Sequence, residues 1–450
     1  MEKKKTLQQE ILNIAIPVAL QSLLSSSFSV VDQIMTGQLG EISIAGIGLA
    51  GKFAGLHSVV LGAVATVAGI LLAQHLGKRD QKAAARGFFL NLTLALAVAA
   101  AFTVVCESVP RGVMGLYTTD SGTRDCAARY LQIIAPGFLP SAGSLLLSTF
   151  LRCKDRANIP LYATLFNAAL NTGLNYVLIF GKFGFPAMGV SGAAWATVIS
   201  QHAGFLVILT GYLRLSRETH WRVPFPLTMS KEMWHQYLRI LAPILVCEFF
   251  WGLGENVYAA IYGHIGTGAC AAMTLISPVV VLFIGALSGV SQAAGILIGK
   301  RLGAGAFEEA YALSKKLMWY GLAGSLCLGA VLVLLGQRYV QIFRVENSVR
   351  AAAYQLLVVF AAFGPVKVQN MILGGGIIRS GGETRLTMYM DLIGTWLFGV
   401  PLGVLSAFVL GLPIAWVYAL ISLEECVRLL LAVRVFRKRN WMVRLEQANG

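Results

Sequence analysis

The residues able to do chemistry in this chain are few, and they stand in apolar surroundings. Asp32 is the one acid in PVALQSLLSSSFSVVDQIMTGQLG, residues 17–40. On a helix it shares a face with Ser25 and Phe28. It lies five residues before Gly37, about 8 Å from a helix end at 1.5 Å per residue. A carboxylate at that depth is desolvated unless a cation or hydrogen-bond donors compensate it, and on insertion scales it costs roughly 2.5–3.5 kcal/mol. Such a group suits a proton or sodium site. Asn167, Asn171 and Asn175 recur every four residues in FNAALNTGLNYVLIFG, a polar stripe on an apolar helix. Each offers a donor and an acceptor without charge, so it can coordinate a cation, orient a carboxylate or bond to a neighbouring helix.

A second group of ionisable residues lies further on. Glu248 and Glu255 are seven apart in CEFFWGLGENVYAAIYG, with Trp251 and Tyr258 on or beside the same face. Two acids beside aromatic rings suit an organic cation, through charge and cation–π attraction. Lys367 is the intramembrane base available to pair with these acids or with Asp391. Glu424 and Arg428, four apart, read as a structural ion pair. His57 and His202 read as packing residues. Gly46 to Lys52, GIGLAGK, imitates a phosphate-binding loop. Phe53 stands where a hydroxyl should, and an apolar span surrounds it, so it is chance. No hydrolase or metalloprotease motif is present, and the seven cysteines show no pairing or metal spacing. The sequence therefore predicts a protein that is not an enzyme and carries no cofactor beyond a coupling ion.

The elements that hold these residues are membrane spans. The chain is 56% hydrophobic and 13% charged, with a mean hydropathy of +0.70, against about 25% charged in soluble domains. Apolar runs long enough to cross a ~30 Å bilayer core recur throughout, without strand-like alternation. They predict twelve spans, near 11–36, 45–73, 88–109, 127–150, 159–180, 190–213, 238–262, 273–298, 313–334, 350–376, 385–408 and 413–436. The net charge of +15 does not point to nucleic acid, because the basic residues gather in alternate connections. That asymmetry places both termini in the cytoplasm of a multi-pass protein of the cell membrane.

The chain also repeats itself. Pro243, Gly263 and Gly266 match Pro17, Gly37 and Gly40 at a constant offset of 226 (243 − 17). AGILLAQHLG from Ala68 matches AGILIGKRLG from Ala294, and FLRCKDR from Phe150 resembles IIRSGGETR from Ile377. The expected domains are an N-lobe over 1–213, a cytoplasmic connection over 214–237 and a C-lobe over 238–450. Six spans per repeat give both halves the same orientation, so the expected fold is all-α, with two six-helix lobes related by a pseudo-two-fold axis along the membrane normal. A substrate path between the halves follows, as in a transporter that alternates access. With no nucleotide site, ion coupling is the expected drive.

These motifs carry a resemblance. P-x3-Q with VDQIMTGQLG, NTGLNYVLIFGKFG, GVSGAAWATVISQ and GGIIRSGGETR together resemble the bacterial MATE transporters, the multidrug and toxic compound extrusion family, over essentially the whole chain. The resemblance implies a central cleft between the lobes and export of cationic, often aromatic, compounds by antiport against H⁺ or Na⁺. It places Asp32 on the family's first-helix Asp, Asn171 and Asn175 on the fifth-helix polar pair, and Thr197 on the sixth-helix Thr of the same cluster. Sodium, if it is the coupling ion, would sit at Asp32, Asn171 and Asn175. Some relatives carry Asp where this chain has Asn175, and Glu383 replaces the Asp of their GGDT turn. The family's seventh-helix Glu falls nearer Trp251 than Glu248 or Glu255; some bacterial members have an acid near Glu248 and an Asp near Asp391, so these two are carried over. The candidates for substrate binding are Glu248, Glu255, Trp251, Tyr258, Asp391, Lys367 and Phe28. Expected partners are the bilayer and small organic cations, with no nucleic acid, the chain working as a monomer. Two other readings stand beside this one: a flippase for lipid-linked sugars from the same superfamily, and a membrane-embedded enzyme or receptor.

Overall fold

The computed structural model describes residues 6–219, 221, 231–343 and 345–445, without the side chains of 231–233. Much of the expected 214–237 connection lies outside these residues. The described chain is helical, with no strand among those residues. Its twelve long helices are α1 (Leu7–Leu39), α2 (Glu41–Gly77), α3 (Gln81–Ser108), α4 (Ser121–Cys153), α5 (Asn158–Phe180), α6 (Val190–Glu218), α7 (Trp234–Ile265), α8 (Thr267–Gly303), α9 (Phe307–Gln341), α10 (Asn347–Ile378), α11 (Thr384–Val409) and α12 (Ile414–Lys438). Each of the twelve predicted spans falls on one of them. Ten are long and apolar enough to cross a membrane. Of the other two, α5 is made less apolar by its asparagine stripe, and α12 carries three charges, Glu424, Glu425 and Arg428, within its apolar run. The GIGLAGK stretch is continuous helix inside α2, so it forms no loop.

The helix ends follow from glycine. α1 closes in a 3₁₀ turn, Gly37–Leu39, and Gly40 follows at φ +88°; its counterpart Gly266 stands at φ +144°. Only a residue without Cβ reverses the chain there at little cost. The next helices, Glu41–Gly77 and Thr267–Gly303, are each 37 residues long and lie 226 apart at both ends.

Two compact units emerge from the contacts. One holds Leu20–Leu72 and Asp80–Thr228; the other holds Met1–Ala19, Ala73–Arg79 and Met229–Gly450. In the first, α5 and α6 run antiparallel at close range because glycines line α6. A Cβ on Gly192 would meet the backbone of Leu178 and Ile179, one on Gly204 the side chain of Asn167, and one on Gly211 the side chain of Ile159. This seam fixes which way the α5 asparagines can turn.

In the second unit, α10 ends in a π-helical stretch, Met371–Ile378, and α11 contains two more, Ile393–Gly399 and Leu405–Val409. Such wider turns occur often at functional sites. Here they bring glycines against polar side chains: Gly394 packs on Arg428, and Gly399 on Tyr258 and Glu424. In the same unit the C-terminal ends of α2 and α8 cross with no side chains between them. A Cβ on Gly77 would strike the Lys300 backbone, and one on Gly303 the Gln74 backbone. Lys300 and Gln74 are themselves 226 apart, and Gly299 meets its own counterpart, Ala73. Reciprocal contacts between equivalent residues are what a two-fold axis through this crossing requires.

Candidate functional site

The first unit gathers the Asp32 cluster. Asn175, on α5, donates its side-chain amide to the Asp32 carboxylate at 2.5 Å and to the Asn171 amide oxygen at 3.2 Å. The four-residue spacing of the stripe produces that second contact. Asn175 is 0% exposed, and its own amide oxygen has no hydrogen-bond partner among the described residues. A buried acceptor left unpaired costs about 1–3 kcal/mol, so the cluster has spare capacity for a proton donor or a cation. Thr197, on α6, bonds back to the Ala193 carbonyl at 3.0 Å. Tyr130, on α4, lies within reach of Thr197 and of the Asp32 charge. The Asp32 carboxylate thus meets α5 directly and α4 through Tyr130, which joins it to Thr197 on α6. Tyr130 escaped the sequence reading, since a single tyrosine on an apolar helix carries no periodic signal.

Asn167 points away from this cluster. It packs against Gly204, and its amide oxygen is buried without a partner among the described residues. Phe28 is half-buried on α1. His202 is satisfied by the Val198 carbonyl at 2.8 Å. His57 is packed as expected, against the rings of Phe138 and Phe102, but its Nε2 has no partner among the described residues.

The second unit holds a larger ionic cluster on α7, α10, α11 and α12. Glu248 pairs with Arg379 at 3.5 Å, and Asp391 lies 3.8 Å from Arg379 and 3.9 Å from Arg428. Lys367 pairs with Glu425 at 3.7 Å. The sequence offered Lys367 as the partner for Glu248, Glu255 or Asp391; the ion pair it forms is with Glu425, on the facing helix, and the two acids Glu248 and Asp391 take arginines instead. The expected Glu424–Arg428 pair is present at 3.5 Å, with Glu425 completing it at 3.9 Å. Arg428 also donates to Thr395, and the Tyr258 hydroxyl donates to Glu424. Tyr258 is therefore buried and committed, while Trp251 and Glu255 on the same helix are exposed. Among the described residues no group of three or more His, Cys, Asp and Glu side chains could hold a metal ion.

Arg379 and Glu425 were not singled out from sequence, although the repeat contains the signal. In the first unit Arg152 donates to Gln21 at 2.7 Å, and Gln21 donates to Thr164 at 2.8 Å. In the second, Arg379 donates to Cys247 at 3.3 Å, and Cys247 donates to Asp391 at 2.8 Å. Gln21 and Cys247 each stand four residues after the repeat's proline, and Arg152 and Arg379 hold the same place in FLRCKDR and IIRSGGETR. The two halves build the same kind of chain of contacts: the arginine leads to an amide and a hydroxyl in the first, and to a thiol and a carboxylate in the second.

The family model described as MatE matches residues 17–177 and 233–405. The chain belongs to the MatE family. This is a family of membrane transporters, and the protein is accordingly a multi-pass membrane protein. The "Uncharacterized transporter YisQ" of Bacillus subtilis is 25% identical over 432 residues, covering 95% of this chain and 93% of its own. The "Probable multidrug resistance protein NorM" of Thermotoga maritima is 25% identical over 422 residues, covering 92% and 89%. Among solved structures, an "outward-facing conformation of a multidrug resistance MATE family transporter of the MOP superfamily" matches with a TM-score of 0.87 at 18% identity, over 97% of this chain and 98% of that one. A MOP superfamily transporter from Pyrococcus furiosus, described as having reverse polarity of its binding pocket, matches with a TM-score of 0.84 at 18% identity, over the same shares of each chain. At these identities the structural likeness establishes the MatE fold, with its twelve helices in two related halves.

Proposed function

We propose that this MatE-family chain is a secondary active transporter that exports organic cations by antiport against H⁺ or Na⁺ bound at Asp32. The observation that carries the reading is the Asp32–Asn175 pair. A carboxylate in an apolar helix is held by one amide donor, while the oxygen of that amide is buried and without a partner among the described residues. A sodium ion would find a carboxylate and neutral amide and hydroxyl oxygens, the hard donor set it prefers. A proton on Asp32 would remove the buried charge instead. Asn171 and Thr197 support the same cluster. Coupling follows if ion and cargo favour different conformations, since a ligand that binds both states equally shifts neither.

The cationic cargo is supported by the exposed Glu255 and Trp251 on α7, and by relatives named for multidrug resistance. Glu248, Asp391 and Lys367 line the same half but are tied into ion pairs. Within the ionic cluster of that half, Lys367, Arg379 and Arg428 each face an acid. This disfavours the bare cationic cavity that a pyrophosphate-linked lipid would need. The chain works as a monomer in the cell membrane, and the distribution of Lys and Arg supports placing both termini in the cytoplasm.

The test is efflux of a fluorescent organic cation from reconstituted vesicles under separately imposed H⁺ and Na⁺ gradients. One of the two gradients should drive efflux, and Asp32→Asn should abolish it at matched protein level. Gradient-driven efflux by Asp32→Asn at the wild-type rate would defeat the assignment of the ion site.

A further inference from the structure

The described chain ends in a segment that bonds to α2, far from it in sequence. After α12, Arg439 turns the chain at φ +58°, and Trp441 inserts with 0% exposure against the ring of Phe436. Its carbonyl fills the space that a side chain at Gly381 would occupy. The chain then runs to Gln74, on the last turn of α2, which is also 0% exposed. The Gln74 amide nitrogen donates to the Ser380 carbonyl at 2.8 Å and to the Val443 carbonyl at 3.2 Å. Its amide oxygen accepts from the Leu445 backbone at 2.8 Å. Lys78 reaches the Leu445 carbonyl, and the Leu445 side chain packs on Gly382. Both ends of one buried amide are spent on the C-terminal segment and the turn between α10 and α11.

This happens beside the crossing of α2 and α8. There Gly77 and Gly303 bring backbone against backbone. The repeat makes that crossing symmetric, and position 300, which corresponds to Gln74, is a lysine. The bonds that Gln74 makes add to the crossing. They join residues of the first repeat's helix to the end of the second.

We propose that Trp441–Leu445 is a latch that holds the C-terminal end of α2 against α8, and that it must release before the transporter opens on this side of the membrane. Trp441 is the anchor, and Val443 and Leu445 are the releasable part. Gln74 is the receiving residue. The idea rests on the transport reading for the need to open, but its physical content, that the segment holds the crossing shut, does not.

The test compares hydrogen exchange in three purified proteins in lipid nanodiscs: the full chain, a chain ending after Met442, and Gln74→Met in the full chain. Met keeps the length of Gln74 and removes its donors and acceptor, and the truncation keeps Trp441. Exchange over residues 73–80 and 376–384 should quicken by at least about tenfold in both variants, since each loses several hydrogen bonds that close the same opening. Exchange in α4 and α6 should stay at the full-chain rate, which shows that the variants are folded. Unchanged exchange over 73–80 in both variants would overturn the latch, and so would general quickening in Gln74→Met. Vesicle efflux measured on the full chain is scored separately. Its absence would count against the transport reading and leave the exchange result to decide the latch.

Discussion

Removing Arg428 separates a structural from a transporting role for the ionic cluster. Its guanidinium is 10% exposed and lies 3.5 Å from Glu424 and 3.9 Å from both Glu425 and Asp391. In Arg428→Met, Glu425 keeps Lys367 at 3.7 Å, and Asp391 keeps Arg379 at 3.8 Å. Among the described residues, Glu424 keeps the Tyr258 hydroxyl and no ion pair within 4 Å. One buried carboxylate is thus stranded, which costs about 3–5 kcal/mol. Neutralising it as well, in Arg428→Met with Glu424→Gln, should return most of that loss, because the pair is removed without leaving a charge behind. The assay is thermal unfolding of the purified variants in one detergent, with the two single variants and the double completing a cycle. The single Arg428→Met should fall well below wild type, and the double should recover. A double variant no more stable than Arg428→Met, or a single loss under about 1 kcal/mol, would refute the stranded-charge argument.

Other outcomes follow from the same structure. Gly77→Ala and Gly303→Ala should each destabilise the fold by about 1–3 kcal/mol, since a Cβ at either position drives into the backbone of the facing helix; thermal unfolding measures it, and a neutral result would remove the close crossing. Asp120 caps α4 by accepting from Thr123, and the hydrogen bonds from the Thr123 backbone and side chain hold its carboxyl below its ordinary value. Its contribution is therefore present above the ordinary carboxylate range and lost as pH falls through its lowered value, whereas Asp120→Asn should cap without that pH dependence in unfolding curves. Cysteines at Glu41 and Thr267, in a chain without its native cysteines, should react with an impermeant reagent from outside the cell, and those at Arg79 and Asp155 only from inside; the reverse pattern would invert the topology.

Much of this protein is local and therefore legible from its residues. Span lengths depend on apolar runs, and the helix stops at Gly40 and Gly266 depend on single residues. The Asn171–Asn175 contact follows from the four-residue spacing of a helix. The offset of 226 exposed the repeat, and with it the twelve helices in two related halves. Asp32 stood out because a carboxylate in a membrane-length apolar run has no innocent surroundings.

What needed tertiary structure was the choice among partners of similar type. Lys367 was the visible base for several acids, yet the facing helix brings it Glu425, and Arg379 takes Glu248 and shares Asp391. Charge attracts any opposite charge in range, so pairing is decided by which helices touch and by where glycines and π-helical turns admit a long side chain. Tyr130 joins the Asp32 cluster for the same reason, through the placement of α4 and not through any pattern of its own. Gln74 is the clearest case. In sequence it is one glutamine in AQHLG, and only the fold brings a chain end some 370 residues away onto its amide, because a contact at that separation leaves no periodicity in the sequence to read.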